Sequence, residues 1–261
     1  MYPILFEIGN WPVYSYGVLL AAAYLIGLQL AVVRARRAGV DPAKVMDLGI
    51  YLIIAALVGA KLMLIIVDFD YFRQQPRELL SLVRAGGVFY GGLIAAVGVG
   101  IWLVRRYQLN VWATGDLMAP GIALGHVIGR FGCLLAGCCY GRPTDVPWAI
   151  TFTNPVASAN VGTPLGLPLH PTQLYDAGAE LLILAILLMT ERKGKPFAGR
   201  TFWLYMGLYA ISRFIIEFYR GDVNRGTALG GLPTSQFVSL LIVPAAFGML
   251  WLLRRRAQPT V

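Results

Sequence analysis

The chain has 261 residues, of which 57% are hydrophobic and 13% charged, and its mean hydropathy is +0.66. A soluble domain of this length would alternate apolar and polar faces, so uninterrupted apolar stretches of this kind exclude that class and place the chain in a lipid bilayer. The formal net charge of +9 reads as topology and attraction to anionic head groups, and nucleic acid is not expected as a partner.

In chain order, apolar runs lie near Tyr14–Val33, Val45–Val67, Val88–Val104, Trp112–Ile128, Leu174–Met189, Phe202–Phe218 and Phe237–Leu253. The expectation is an all-α integral membrane protein of about seven transmembrane helices. The fourth and fifth runs are short for a bilayer core, so a shifted or re-entrant segment is weighed there. The N-terminal stretch has no charged leader with a cleavage site, so the first run is expected to stay as a helix. No internal repeat or low-complexity linker interrupts the chain, which reads as one polytopic membrane domain, residues 1–261. Within it, Gly132–Leu169 forms an outer-face head loop, with one strand-like alternation at Trp148–Phe152.

Basic residues set the expected orientation. Arg34, Arg36, Arg37, Lys44, Arg105, Arg106, Arg192, Lys193, Lys195, Arg200, Arg254, Arg255 and Arg256, 13 in all, fall on one side. The other side holds six, Arg73, Arg77, Arg84, Arg142, Arg220 and Arg225. The positive-inside rule then places the N-terminus outside and the C-terminus in the cytoplasm.

Arg130, Arg213 and Lys61 lie in or beside apolar runs, where an unpartnered cation costs at least a few kcal/mol. Lys61 is explained by snorkelling to the nearer surface. Arg213, Glu217 and Arg220 are spaced by four and three, which puts them on one face of the sixth helix. Two readings stand side by side: a structural ladder in which Glu217 neutralises an arginine, or a guanidinium left to bind a phosphate through its planar fork.

His126 lies four residues before Arg130, and His170 opens the stretch His170-Pro171-Thr172-Gln173-Leu174-Tyr175-Asp176 ahead of the fifth run. A membrane histidine is commonly a hydrogen-bonded packing element, yet it is also the side chain suited to take a proton near neutral pH. Pro171 suits the first turn of a helix. The three cysteines, Cys133, Cys138 and Cys139, all fall in one glycine-rich segment. Packing or a Cys133 disulfide ranks first, a reactive thiolate near Arg130 and Arg142 second, and a metal site last, because the spacing matches no usual metal pattern. No metal site and no cofactor are therefore expected.

From this segment the sequence resembles the bacterial phosphatidylglycerol:prolipoprotein diacylglyceryl transferases, and the landmarks keep their order along most of the chain. Tyr16-Gly17, Gly59-Ala60-Lys61, Gly91-Gly92, Asp116 with Pro120, Gly129-Arg130 with Gly132, and Pro147-Trp148-Ala149 resemble successive family motifs. His170 to Asp176, then Arg213, Glu217 and Arg220, and finally Gln236 complete the set. The chain departs from the family where Tyr90 replaces a histidine, Cys133 and Cys138 stand at an asparagine and a glutamate, and Leu169 replaces an arginine.

The resemblance implies a bacterial inner-membrane transferase that moves a diacylglyceryl group from phosphatidylglycerol to the lipobox cysteine thiol of a prolipoprotein signal peptide, releasing glycerol phosphate. It implies catalytic roles for Arg130, Arg213, His170 and Tyr90, with substrate binding by Arg220, Glu217, Tyr16, Gly91, Gly92, Gln173 and Tyr175. Two alternatives follow from the departures: a paralogue with another acceptor and a functional Cys138 or Cys139 thiol, or a non-catalytic lipid-binding membrane protein.

Overall fold

A computed structural model describes residues 1–83, 87–192, 194, 196–222, 226 and 231–257. Four residues of the orientation count, Arg84, Lys193, Lys195 and Arg225, lie outside them. The chain opens with an antiparallel hairpin of β1 (Ile4–Ile8) and β2 (Trp11–Tyr14), which leads directly into α1 (Ser15–Arg37). Then follow α2 (Pro42–Val67), the short α3 (Phe69–Gln74), a 3-10 turn (Pro76–Val83), α4 (Phe89–Arg106) and α5 (Val111–Ala136). A head segment carries β3 (Ile150–Thr151), α6 (Pro155–Val161) and β4 (Pro168–Leu169), and α7 (Thr172–Arg192), α8 (Arg200–Glu217) and α9 (Thr234–Ala257) close the fold.

This is an all-α membrane protein. Among the described residues six helices, α1, α2, α4, α5, α7 and α9, are long and apolar enough to cross a bilayer. The sixth apolar run is α8, whose 18 residues include Arg200, Arg213 and Glu217, so charge rather than length sets it apart. The fourth and fifth runs are full helices of 26 and 21 residues, not shortened segments. They were undercounted because α5 continues through the glycines and Cys133 to Ala136, and the head consequently starts at Gly137 instead of Gly132. The N-terminal hairpin is a second difference, since Leu5, Phe6, Ile8 and Trp11 are apolar yet exposed and follow no core-facing period.

The chain divides into two compact units, one of residues 1–31 with 115–261 and the other of residues 32–114. In the second unit α2 packs on α4 through glycines. A Cβ at Gly91 would overlap Met63 and the Gly59 carbonyl, and one at Gly92 would come to 2.7 Å from the Ala56 carbonyl. Both glycines therefore serve the close approach of two helix backbones. Asp41 caps α2 by accepting from the Ala43 amide at 2.9 Å.

In the first unit α1 approaches α5 in the same way, with Gly27 against the Gly121 carbonyl and Gly125 against that of Ala23. The core lies among α5, α7 and α8: Ala119 and Ala123 meet Ile183, Leu184, Leu187 and Tyr205. Small residues on α5 let the bulkier helices come close, the usual solution where lipid removes the hydrophobic drive between helices. At the other end of the same helices, Asp116 is buried and accepts from the amides of Gly199 and Phe202, each at 2.8 Å. Its carboxylate satisfies unpaired donors at the start of α8 and opposes the positive end of that helix dipole.

Candidate active site

The ionisable side chains inside the first unit form matched pairs. His126 and Arg130 are one turn apart on α5, and Asp176 and Glu180 one turn apart on α7. His126 Nδ1 lies 2.7 Å from Glu180 Oε1, and Arg130 Nε lies 3.3 Å from Asp176 Oδ2. The crossed order, 126 with 180 and 130 with 176, follows from two helices running antiparallel. On α8, Arg213 Nη2 lies 2.7 Å from Glu217 Oε2, four residues on.

These carboxylates are deeply buried, with Asp176, Glu180 and Glu217 only 5%, 2% and 2% exposed. Each needs a cation or donor to remain there. Arg213 Nη1 is likewise buried and has no hydrogen-bond partner among the described residues. The Tyr209 ring centroid lies 5.3 Å from that of His126, and Arg130 and Arg213 each follow one helical turn further along the same two helices. The two guanidiniums therefore border one region.

Arg220 departs from its expected place. α8 ends at Glu217, so Arg220 is not a third rung on that helix face but belongs to the segment that follows. Its Nε donates to Asp222 Oδ1 at 2.9 Å, and Nη2 engages the second oxygen of the same carboxylate. Burial works against the charge of Arg220, yet the hydrogen bonds and charge of Asp222 together with Cys139 more than offset it, and its pKa is raised above the ordinary value.

The head places its residues by backbone pairing. Gly141 donates its amide to the His170 carbonyl at 3.0 Å and bridges Arg220 on its other side. Arg142 donates its amide to the Tyr219 carbonyl at 2.8 Å and its Nε to the Arg220 carbonyl at 3.2 Å. A Cβ at position 141 would overlap the His170 carbonyl and Cβ and sit 2.9 Å from the Tyr219 carbonyl. Only glycine brings these three strands of chain together.

His170 is thereby fixed beside Tyr175 and Tyr219, with Nδ1 at 3.1 Å from the Tyr175 hydroxyl. That hydroxyl accepts from the Trp148 indole at 2.8 Å. α7 begins at Thr172, and the Pro171 carbonyl accepts its first helical bonds from Leu174 and Tyr175.

All three cysteines are free thiols, so the disulfide weighed alongside simple packing is not formed in this structure. Cys133 is buried in the last turn of α5, while Cys138 and Cys139 lie in the loop just after it. Gln173 is fully buried and donates to the Cys138 carbonyl at 2.8 Å, and Thr172 donates to the Cys139 carbonyl at 2.6 Å. Gln173 thus anchors the thiol loop, and its Oε1 keeps an unused acceptor position. Hydrogen bonds from the Cys133 and Cys138 thiols push the Cys139 thiol below its usual pKa, assisted by Arg220 and Arg130 and opposed by burial. Hydrogen bonds with the Cys133 and Cys139 thiols, together with burial, push the Cys138 thiol up.

Of the other residues singled out in the sequence, Tyr16 packs its ring beside Gly132 on α5. Tyr90 lies in the other unit, exposed in the first turn of α4 and edge-on to Phe89. Gln236 donates to the Phe214 carbonyl at 3.3 Å and ties α9 to α8. The sequence reading missed Glu180 and Asp222 as partners. The first was signalled by opposite charges repeated at a spacing of four on two apolar runs; nothing in local sequence signalled the second.

The model of the prolipoprotein diacylglyceryl transferase family matches residues 3–252. The chain belongs to this family. It is 37% identical over 245 residues to a phosphatidylglycerol–prolipoprotein diacylglyceryl transferase from Clostridium tetani, covering 93% of this chain and 94% of the relative. A second enzyme of that name from Clostridium perfringens is 34% identical, with 92% and 91% covered, and one from Synechococcus elongatus is 33% identical, with 96% and 86% covered. In each case the similarity extends over more than nine-tenths of this chain.

Proposed function

We propose that this protein transfers a diacylglyceryl group from phosphatidylglycerol to the lipobox cysteine thiol of a prolipoprotein signal peptide, in the bacterial inner membrane. The acceptor sulfur forms a bond to the glyceryl carbon as the carbon–oxygen bond to phosphate breaks. The thiol proton passes to a base, and glycerol phosphate leaves as an anion. The observation that carries this reading is the Arg213 guanidinium, buried, held on one nitrogen by Glu217 and unsatisfied on Nη1. A planar fork fixed on one side and open on the other suits a phosphate oxygen.

Arg130, aligned by Asp176, supplies the second cation on the same region, and both oppose charge that grows on the departing phosphate. Glu217 and Asp176 act by holding those guanidiniums. His170 is the base assigned to the acceptor thiol. For that role it keeps its own proton on Nδ1, shared with the Tyr175 hydroxyl, and presents Nε2. Arg220 is fixed by Asp222 beside the thiol loop and assists anion binding. Gln173 offers its unused carbonyl oxygen to the lipid. For Tyr16 and for Tyr90 as a hydrogen bonder to lipid, the support is their motif position alone.

The proposed orientation has the N-terminus outside and the C-terminus cytoplasmic. Basic residues end α1, α4, α7 and α9, whereas α2, α5 and α8 have none in their last turns. That asymmetry satisfies the positive-inside rule and the helix dipole together. The test of function is incubation of purified protein with phosphatidylglycerol and a lipobox peptide. Lipidated peptide and glycerol phosphate should form in equal amounts; phospholipid consumption with no modified peptide would assign a different acceptor.

A further inference from the structure

The cysteine segment does something its spacing does not suggest. Gly137 and Cys139 both adopt left-handed backbone, with φ of +84° and +60°. These two reversals, within three residues of the end of α5, turn the loop back over that helix. The Cys138 thiol approaches the Cys133 carbonyl at 3.8 Å, while Thr172 and Gln173 pin the carbonyls of Cys139 and Cys138 from α7. As a result the three Sγ atoms all lie within 4.8 Å of one another.

We infer that Cys133, Cys138 and Cys139 form a three-thiolate binding site for a soft d10 cation, best matched by Cu(I). Three sulfurs about 2.3 Å from one ion in a plane stand roughly 4.0 Å apart, so a contraction of under about 1 Å closes the observed triangle. Zinc prefers four protein ligands in a structural site. Among the described residues no histidine, aspartate or glutamate joins this group of three. Trigonal coordination by soft thiolates is the preference of Cu(I). One monovalent ion and three thiolates carry net negative charge, and Arg130 and Arg220 already act on Cys139, so counter-charge is built in. Binding displaces the thiol protons to solvent.

Under the more familiar alternative, two of these thiols would close a disulfide and leave one. The two readings differ in thiol count and in metal retention. The protein, purified in detergent under anaerobic reducing conditions, is offered Cu(I) as its acetonitrile complex, passed through a desalting column and assayed for metal. About one copper per chain should be retained. Alkylation followed by mass spectrometry should find all three cysteines modified before loading and all three protected after it. Cys138→Ser and Cys139→Ser should each weaken retention at least tenfold, measured against a chelator on material of unchanged gel-filtration profile.

Copper well below one per chain, or alkylation unaffected by loading, overturns the proposal without recourse to a variant. So does a single alkylatable cysteine before loading, which would show a disulfide. Zinc(II) held at one per chain and not displaced by Cu(I) overturns the trigonal assignment in favour of a tetrahedral site completed by water. None of these readouts depends on transferase activity, so failure here leaves the proposed function untouched.

Discussion

Arg213→Lys separates charge from geometry at the residue on which the proposed function rests. Glu217 is almost wholly buried and 2.7 Å from Arg213 Nη2. A lysine ammonium keeps a positive charge for that carboxylate, so the helix should still insert and fold. What it lacks is the second nitrogen, Nη1, which is buried and unpaired in the native protein. A hydrogen bond to a charged group contributes about 1.5–3 kcal/mol. If it is made to the leaving phosphate, its loss lowers kcat/KM by roughly 10- to 150-fold. Arg213→Ala is the contrasting variant: it leaves a buried carboxylate without this cation, at a cost of about 3–5 kcal/mol in stability. The assay is release of glycerol phosphate from phosphatidylglycerol in mixed micelles with a lipobox peptide, alongside folded yield by gel filtration. Turnover of Arg213→Lys within threefold of native, at equal folded yield, would remove the phosphate contact from the argument. Equal loss of folded protein in both variants would make the residue structural.

Four other outcomes are expected. Gly141→Ala forces a methyl into the His170 carbonyl and should destabilise the head by about 3 kcal/mol, seen as a lower Tm by circular dichroism together with lost turnover. Asp116→Asn replaces a carboxylate that caps the start of α8, and should cost about 1–2 kcal/mol with kcat near native in the fraction that folds. Tyr175→Phe removes the hydroxyl between Trp148 and His170; kcat should fall roughly 10- to 100-fold while KM for phosphatidylglycerol stays within twofold, and an unchanged kcat would dismiss the His170 assignment. Finally, the Cys139 thiol pKa is lowered, so the residue stays thiolate at pH values where an ordinary cysteine has protonated. Between about pH 6 and 9, alkylation of Cys139 by a small reagent should therefore fall less steeply on acidification than that of an ordinary cysteine. Cys138, shifted the other way, should remain slow over that range, and a Cys139 rate rising tenfold per pH unit would contradict the assignment.

Much of the architecture was legible because a bilayer reads sequence simply: a helix must be apolar for about 20 residues. Hydropathy therefore located the seven long helices found among the described residues, and the asymmetry of basic residues at their ends was visible in the sequence. The C-terminal end of α5 was not, since Arg130 interrupts the apolar run after Ile128 while the helix continues to Ala136, with Gly132 packed against Tyr16 and Leu19 of α1. The α5 and α7 charge pairs were half legible: His126 with Arg130 and Asp176 with Glu180 showed the spacing, but pairing them required knowing that those helices are neighbours.

Local sequence fixed where helices form, which residues are ionisable in apolar surroundings, and which family the order of motifs resembles, because each of those depends on neighbours along the chain. Only the tertiary structure decided that Arg220 belongs with Asp222 and Gly141 beyond the end of α8, and that Gly91 and Gly92 serve helix contact. It also decided that three cysteines with no recognised metal spacing meet at one point. The reason is physical: a loop with two left-handed residues can reverse direction twice in three positions, so distance along the sequence ceases to report distance in space.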